Sequence, residues 1–297
     1  MNQKKEILFL NPRRYADRLY PQLTDLGYQV IIGMFEELIY SHDGILCRGK
    51  NLRDFSKIII GSSGSVIQNV YKKYGALIAG ITEYCATSDT KIISLGANLL
   101  VGNKLYQLEL IRKRKLPLIS QYSAYTIEQA NSIWFDSLLE KPLIIKELNK
   151  NQGRGIHKVE SYFELRKIFF EHSTLDSMPL LLQAFIDNDG DYRVLIIQNR
   201  IIGIMKRTQT NPEEYRNNFS QGASGSIGYL PEHVLHECLE LYKDSGLLIA
   251  GIDVIQNKKT GEYHFLEINS NPGIEGFEKT TGIDVGKILI DIIEKLV

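Results

Sequence analysis

Residues 251–276 constrain the fold most, because they place polar side chains inside two apolar, strand-like runs that a short turn joins. Asp253 lies in one run, and Glu267 and Asn269 lie in the other. Residues two apart on a strand face the same side, so Glu267 and Asn269 project together. Asp253 can lie across from them on a paired strand. A charge within an apolar run is unfavourable without a partner, so the pattern predicts a shared polar cluster.

Two carboxylates and one amide oxygen form an all-oxygen ligand set. Such a set suits Mg²⁺, or Mn²⁺, which would also bind phosphate oxygens and water. The alternative is that Asp253 and Glu267 are charges on an edge strand that face water. The apolar residues on either side of both carboxylates favour the metal site.

Composition excludes several classes of protein. Lysine plus arginine equals aspartate plus glutamate at 35 each, so the chain has no overall positive charge for binding nucleic acid or membrane. No run approaches the roughly 18 apolar residues of a membrane span. The first residues lack the apolar core of a signal peptide. Three scattered cysteines fit a reducing compartment, so we expect a cytoplasmic protein with neither a membrane nor a nucleic-acid partner.

The 297 residues predict two domains or three small ones. The first hundred alternate strand and helix patterns, which is typical of α/β folds with a mostly parallel sheet. We expect strands at 6–10, 29–34, 57–60, 91–94, 142–148, 180–186, 192–198, 200–206, 251–256 and 263–268. Helices are expected at 12–26, 66–81, 99–113, 161–170, 231–245 and the C-terminus. The turn at 199–200 predicts a hairpin, and the long polar segment 208–228 predicts a functional loop.

Lys146 lies on the predicted strand 142–148, and a loop containing Gly153 and Gly155 follows this strand directly. Glycines let backbone N–H groups approach a phosphate, and an ammonium group supplies a point charge for it. An ordinary hairpin would explain the same pattern. Arg193, Arg207 and Arg216 are suited to binding carboxylate or phosphate, but taken alone each is better explained as a solvated surface charge.

The run EINSNPGIEGFEKTTGID, at residues 267–284, resembles the C-terminal signature of ATP-grasp ligases of the RimK type, which are glutamate ligases. The resemblance extends upstream in order through Lys104, Lys146, the segment 183–186, the segments 191–193 and 216–218, and the segment 251–254. It implies an α/β ATP-grasp fold behind a Rossmann-like N-terminal domain. The expected boundaries are 1–97 for that domain, 98–182 for the central lobe with the phosphate loop, and 183–297 for the C-terminal lobe.

The resemblance also implies roles for individual residues. Contacts to ATP are implied for Lys104 and Lys146 at the phosphates, Gln152, Gly153, Gly155 and Ile156 in the covering loop, Ala184 and Phe185 at adenine, and Asp191 at the ribose. Asp253, Glu267 and Asn269 would hold the metal ion. Catalytic contacts to the transferred phosphoryl group or the carboxylate are implied for Arg193, Arg207, Arg216 and Asn218.

Three positions differ from the pattern of the family. Ala184 stands where the family usually has Glu, Lys206 stands where the glutamate ligases have an acid, and Gln221-Gly222-Ala223 replaces Arg-Gly-Gly. The last two fall where the substrate should be selected. The resemblance therefore implies a reaction class and leaves the amino acid open.

The implied activity is ATP-dependent joining of a carboxylate to an amine through an acyl phosphate. Glutamate is one candidate amine, and a peptide, a small molecule or a protein C-terminal tail is a candidate acceptor. The resemblance further implies a homodimer or homotetramer. A non-catalytic ATP-binding regulator and a small-molecule kinase remain the alternatives on the same fold.

Overall fold

The computed structural model describes residues 6–12, 15–61, 77–95, 101–136, 138–148, 155–172, 179–211, 214–217 and 222–296. The chain divides into two compact units. Unit 1 comprises residues 1–99, 246–250 and 270–297, and unit 2 comprises residues 100–245 and 251–269. Residues 270–297 thus belong with the N-terminal segment, whereas the sequence analysis placed them in the C-terminal lobe.

The strands follow one another along the chain as β1 (Glu6–Leu10), β2 (Gln29–Gly33), β3 (Leu38–Ser41), β4 (Gly44–Cys47), β5 (Lys50–Asn51), β6 (Lys57–Ile60), β7 (Lys91–Ser94), β8 (Gln121–Ala124), β9 (Leu143–Glu147), β10 (Ile156–Val159), β11 (Leu180–Ala184), β12 (Asp191–Ile197), β13 (Arg200–Thr208), β14 (Ser224–Ile227), β15 (Ile249–Gln256) and β16 (Tyr263–Asn269). The helices are α1 (Ala16–Asp25), α2 (which includes residues 77–85), α3 (Lys104–Lys113), α4 (Ile127–Phe135), α5 (Tyr162–His172), α6 (Glu232–Ser245), α7 (Ile274–Thr281) and α8 (Val285–Lys295). No helix in the described ranges is long and apolar enough to cross a membrane.

Unit 1 is built on a parallel sheet in the order β2–β1–β6–β7. Its central strands, β1 and β6, are buried throughout and apolar except at their first residues, Glu6 and Lys57, as expected for strands covered on both faces. On one face, Leu8 and Ile58 share a core with the small antiparallel sheet β3–β4–β5 and with α2. Helix α8 packs against α1, and the buried Lys57 Nζ donates a hydrogen bond of 2.6 Å to the Ile293 carbonyl. The C-terminal helix therefore completes the N-terminal unit.

Unit 2 contains an antiparallel sheet in the order β10–β9–β11–β8. One face of this sheet packs against α4 and α5, with Ile145, Leu182 and Phe169 in a shared core. Helix α4 begins with a capping box, in which the Thr126 and Gln129 side chains bond to each other's backbone N–H groups. The opposite face of the sheet is left for the ligand cavity described below.

A second sheet of unit 2 has the order β14–β13–β12–β15–β16. The β12–β13 hairpin turns at Gln198 and Asn199, which both have positive φ angles (46° and 60°), one residue earlier than the sequence analysis expected. Helices α3 and α6 pack together beside this sheet, and Arg114 of α3 bonds to Asp244 and Glu240 of α6 at 2.6–2.9 Å.

Most strands that the sequence analysis expected are present within two residues, and β1, β6 and β7 match residue for residue. Strands β3–β5, β8, β10 and β14 and helix α4 were not expected. Strand β14 lies within the polar segment 208–228 that was expected to be a loop. Part of the expected helix 66–81 lies outside the described residues, and its remainder belongs to α2.

Candidate active site

A cavity in unit 2 collects most of the predicted site residues. Those that line it are Lys104, Lys146, Ile156, Ala184, Phe185, Asp191, Arg207, Arg216, Asp253, Glu267 and Asn269. Apolar side chains complete the lining at Ile119, Ile144, Ile186, Ile255 and Leu266. One part of the cavity is therefore apolar and the other carries charges of both signs, which is how proteins bind ligands with a flat ring and several ionised groups.

Strand pairing brings the predicted oxygen cluster together. Asp253 lies directly opposite Glu267 in the antiparallel β15–β16 pair, and Gly251 lies opposite Asn269. The Asn269 Nδ2 group donates a hydrogen bond of 3.0 Å to Asp253 Oδ2. The side chains of Asp253, Glu267 and Asn269 therefore share one face of the hairpin, as their spacing predicted.

Asp253 is also held by two arginines. Arg193 donates two hydrogen bonds to it, at 2.7 and 2.6 Å, and Arg207 Nη2 donates a third at 2.9 Å. Burial opposes ionisation of the Asp253 carboxyl, but the two guanidinium groups outweigh it and lower the pKa of Asp253. Both arginines are thus paired with Asp253 rather than being solvated surface charges, and Arg207 also lines the cavity.

Arg207 bridges two carboxylates, because its Nε group donates to Asp191 Oδ1 at 2.6 Å. Burial and the negative charge of Asp253 raise the pKa of Asp191, against the lowering effect of Arg207. The pKa of Arg207 itself is raised by its two carboxylate partners, although burial acts in the opposite direction. Arg193, which lies outside the cavity lining, acts on it through Asp253.

Two lysines supply positive charge on another side of the cavity. Burial and the nearby charge of Lys104 together lower the pKa of Lys146 to about 8, although Glu267 acts in the opposite direction. Burial likewise lowers the pKa of Lys104, and Glu267 and Glu147 oppose this shift. An ammonium whose pKa is lowered by burial becomes more stable when an anion arrives beside it.

The residues present fit a polyphosphate that carries a divalent cation. Lys104 and Lys146 offer two ammonium groups whose charge burial disfavours, so a phosphate chain beside them would offset that penalty. Glu267 and Asn269 offer oxygen ligands on the same hairpin face as Asp253. Oxygen ligands of this kind are what Mg²⁺ selects.

Comparison with known proteins identifies the family. Residues 101–293 match the sequence profile described as the RimK-like ATP-grasp domain. The chain belongs to the RimK-like ATP-grasp family. By family it is a carbon–nitrogen ligase that binds ATP.

Relatives with curated names agree with this assignment. A protein from Pseudomonas fluorescens strain Pf0-1, named probable alpha-L-glutamate ligase, is 27% identical over 305 residues, which cover 98% of this chain and 95% of the relative. A protein of the same name from Shewanella halifaxensis is 34% identical over 196 residues. That match covers 65% of this chain but only 42% of the Shewanella protein, so the chain spans less than half of this relative.

Solved structures share the fold. The ATP-grasp ligase PsnB, solved with a minimal precursor, matches with a TM-score of 0.72 at 15% identity and covers 99% of this chain and 100% of its own. The VanG D-Ala:D-Ser ligase from Enterococcus faecalis matches with a TM-score of 0.71 at 16% identity, with coverage of 99% and 100%. The ATP-grasp fold expected from the resemblance is confirmed.

The segment expected to receive adenine in this RimK-like chain is already partly engaged. The backbone N–H of Ala184 donates to Ser120 O at 3.0 Å, and that of Phe185 donates to Pro142 O at 3.1 Å. These two N–H groups are therefore already used within the protein. The Phe185 ring carries Lys158 Nζ at 4.9 Å from its centroid, so a cation already covers one aromatic face.

The predicted covering loop and the polar segment 208–228, called the substrate loop below, are only partly described. Gln152, Gly153, Asn218 and Gln221 lie outside the described residues. Gly155 precedes β10 with a φ of 65°, and its carbonyl accepts a hydrogen bond from the Glu147 N–H at 2.8 Å.

Arg216 lines the cavity from the described part of the substrate loop. It forms an ion pair with Glu214 at 2.6 Å, which raises the pKa of Arg216. Beside it, the Tyr215 hydroxyl group donates to Ile156 O at 2.9 Å and accepts from Lys158 N at 3.0 Å. Residues 214–217 are thereby attached to strand β10.

Two residues that depart from the family pattern lie at the substrate loop: Ala223 lies within it, and Lys206 lies just before it. The Lys206 ammonium group lies 5.5 Å from the centroid of the Tyr192 ring. Lys206 also pairs with Ser226 across the β13–β14 ladder, whereas Ala223 directly precedes β14.

One residue that the sequence analysis missed joins the helix that carries Lys104 to the strand that carries Glu267 and Asn269. Gln107 is buried on α3, three residues after Lys104, and its Nε2 group donates to Ile268 O at 3.0 Å. Its Oε1 atom accepts from the Ile268 N–H at 2.9 Å. The amide thus fixes α3 against β16 between Glu267 and Asn269. Glutamine inside an otherwise apolar helix face is the one sequence signal that could have revealed it.

Proposed function

We propose that the chain joins a carboxylate to an amine at the expense of ATP, through an acyl-phosphate intermediate. The observation that carries the proposal is the placement of Lys104 and Lys146 beside Glu267 within a single cavity. Two buried cations next to an oxygen ligand for a divalent ion suit a reaction in which a phosphoryl group is transferred. The described residues of the cavity need supply no nucleophile, because the substrate carboxylate is itself the nucleophile.

The chemistry proceeds in two steps. A carboxylate oxygen of the acceptor attacks the γ-phosphorus of ATP, the bond to the bridging oxygen breaks, and ADP leaves. The amine nitrogen then attacks the acyl carbon, the bond from carbon to the phosphate oxygen breaks, and the nitrogen loses a proton. The products are the amide, ADP and inorganic phosphate.

The cavity residues bind and position these groups. Lys104 and Lys146 would contact the phosphates, with the loop of Gln152, Gly153, Gly155 and Ile156 covering them. A Mg²⁺ ion held by Asp253, Glu267 and Asn269 would act as a Lewis acid toward phosphate oxygens. Most of the catalytic effect in such transfers comes from positioning and from fixed charges, which this cavity provides.

Other predicted contacts involve the adenine and ribose of ATP and the phosphoryl group that is transferred. Ala184 and Phe185 would border adenine and Asp191 the ribose. Arg216 and Asn218 would approach the transferred phosphoryl group. In this arrangement Arg193 and Arg207 act by orienting Asp253 and Asp191.

The substrates follow from the relatives by analogy. The curated relatives are named probable alpha-L-glutamate ligases, and PsnB was solved with a minimal precursor, Mg and ADP and also with a precursor peptide and AMPPNP. We propose glutamate as the first amine to test and a peptide or a protein C-terminal tail as the first carboxylate. Lys206 and Ala223 would adjust that choice. We also propose that the protein is cytoplasmic and forms a homodimer or homotetramer. Light scattering on the purified chain would test the oligomeric state.

Phosphate release from Mg-ATP tests the proposal directly. Amino acids are tested singly and with glutamate-ended peptides as acceptors, and the products are weighed by mass spectrometry. We expect release that requires one carboxylate and one amine together, with an added mass equal to the amino acid minus water.

Variants Glu267→Gln and Glu262→Gln distinguish an effect on the cavity from a general effect on the β15–β16 hairpin. Glu267→Gln should lose turnover, whereas Glu262→Gln, at an exposed residue of the same hairpin, should keep it. A phosphorylated product without an amine would favour a kinase instead. ATP binding without turnover for any pair would favour the regulator.

A further inference from the structure

A second cluster of metal-ligating side chains lies in unit 2, away from the cavity lining. Glu147 at the end of β9, His157 in β10 and His172 at the end of α5 bring one donor atom each within 4.8 Å of one another. Their distances are 3.3 Å from Glu147 Oε1 to His172 Nδ1 and 3.8 Å from Glu147 Oε1 to His157 Nε2. Two imidazoles and a carboxylate form a donor set that prefers borderline transition metals over Mg²⁺.

These separations are close to what a tetrahedral ion requires. Bonds of about 2.0–2.1 Å at tetrahedral angles place ligand atoms about 3.3 Å apart. The Glu147–His172 distance already matches this value, and the Glu147–His157 distance exceeds it by about 0.5 Å. Small rotations of the partly exposed imidazoles would close the set, whereas Glu147 is buried and fixed.

Strand geometry places the cluster on the side of the sheet opposite the cavity. Ile156 pairs with Lys146 across the β9–β10 ladder, and both line the cavity. Neighbouring side chains on a strand alternate in direction, so Glu147 and His157 point to the other face, where α5 packs. His172 reaches them from the last residue of α5, where the carbonyl end of a helix favours positive charge.

One donor atom in the cluster is available for a ligand. His157 Nε2 is shielded from solvent and makes no hydrogen bond to any described residue. A buried polar atom without a partner is unfavourable, and a metal ion would satisfy it. The two imidazole rings lie 5.0 Å apart between centroids, so both can face one ion.

We propose that Glu147, His157 and His172 bind one divalent transition metal ion, of which Zn²⁺ is the best match, with a water molecule in the fourth position. The site is independent of the ligase chemistry proposed for the cavity. Its ion links β9, β10 and α5, and two of its ligands flank the segment 148–156. Metal binding would therefore stabilise the strand pair that presents Lys146.

Cobalt absorption tests the site on the full-length, untagged chain after chelation and dialysis. Co²⁺ bound by two imidazoles and a carboxylate in tetrahedral geometry absorbs strongly in the visible range, whereas Co²⁺ on the all-oxygen cluster of Asp253, Glu267 and Asn269 would be octahedral and nearly colourless. We expect a visible band that saturates at one equivalent of Co²⁺ and disappears when Zn²⁺ is added.

Variants of the ligands decide the assignment. His157→Ala and His172→Ala should each abolish the band and the rise in melting temperature that Zn²⁺ causes. Glu267→Ala and His233→Ala, outside the cluster, should retain both. An unchanged band in either His157→Ala or His172→Ala, or no band in the parent chain, would overturn the proposal. Circular dichroism of each variant before metal addition separates loss of binding from loss of folding.

Discussion

Asp253 accepts hydrogen bonds from Arg193, Arg207 and Asn269, so its carboxylate organises the charged part of the cavity. Glu267, directly opposite on β16, instead lies near the two lysines, whose positive charge it stabilises. The two carboxylates of the predicted metal cluster therefore have different structural duties. We therefore expect a substitution of Asp253 to lower the free energy of unfolding much more than a substitution of Glu267.

Asp253→Asn should destabilise the protein strongly, because it leaves the guanidinium groups of Arg193 and Arg207 without their shared anion. Breaking a buried ion pair from one side costs about 3–5 kcal/mol. Glu267→Gln should change the free energy of unfolding by less than about 1 kcal/mol, since Glu267 is only partly buried. Urea denaturation of both variants measures the difference, and equal losses would contradict the separate duties.

If Lys146 contacts the phosphates as proposed, the affinity of the cavity for them should depend on pH. Its pKa of about 8 lies below the ordinary value, so in the free protein the charge is lost as the pH rises through about 8. Between that pH and the ordinary lysine pKa, the unfolded chain binds the proton that the folded chain has lost, so stability should rise with pH there. A bound polyphosphate favours the charged form and raises the pKa of Lys146.

Nucleotide binding near pH 8 should therefore take up protons, and the affinity should fall between about pH 7 and pH 9. Calorimetry of ADP binding in two buffers of different ionisation enthalpy measures this uptake. Lys146→Met should reduce it, while Lys259→Met, at an exposed lysine, should not. Equal uptake in both variants would assign the proton to another group.

The sequence could predict which residues are polar within apolar strands, but not how they are partnered. The spacing of Glu267 and Asn269 follows from the period of a strand, and it correctly places both with Asp253. Arg193 lies 60 residues from Asp253 along the chain, and Arg207 lies 46 residues from it. No local pattern contains such contacts, so the arginine pairs and the Gln107 link could only come from the structure.

At the scale of elements, apolar strands were easier to predict than polar ones. Strands β1, β6 and β7 are short strands built around consecutive apolar residues, and their bounds match the sequence analysis. Strand β14 has the sequence Ser-Gly-Ser-Ile, which does not alternate between apolar and polar residues and so does not predict a strand. All four of its residues are exposed. It forms because β13 offers an edge with which it can pair.

Gly190, just before β12, is required by close packing against the neighbouring strand. A Cβ atom there would lie 2.3 Å from the Arg207 carbonyl oxygen, and the φ angle is 114°. Gly261 also has a positive φ, of 76°, but nothing lies within 4 Å of its Cβ position. An alanine at either position would have a strained backbone, but only at Gly190 would its Cβ atom also clash with a neighbouring strand.

Gly190→Ala should therefore destabilise the protein more than Gly261→Ala. Backbone strain accounts for about 1–2 kcal/mol in both variants. The clash at Gly190 adds about 1–3 kcal/mol and displaces Arg207 from Asp191 and Asp253. Thermal denaturation and ADP affinity of both variants check this, and a Gly190→Ala protein that matches Gly261→Ala in both would contradict the clash.

At the scale of the whole molecule, the order of elements along the chain differs from their grouping in space. Helix α8 belongs to unit 1 because its apolar face is buried there, with Val285, Leu289 and Ile293 fully inaccessible. The sequence predicts that this segment is helical, since its apolar residues recur at helical spacing. It does not reveal which unit the helix covers, because any apolar surface would satisfy the same pattern.

Ile293→Ala should destabilise unit 1 by about 2–5 kcal/mol, because a large side chain is removed from a fully buried position. We expect faster amide hydrogen exchange in β1 and β6 of unit 1, and unchanged exchange in β9 and β11 of unit 2. Ile39→Ala, at an exposed residue of the same unit, should leave both sets unchanged. Equal acceleration in β1 and β9 would mean that the two units unfold as one, and that the C-terminal helix stabilises the whole chain rather than its N-terminal unit.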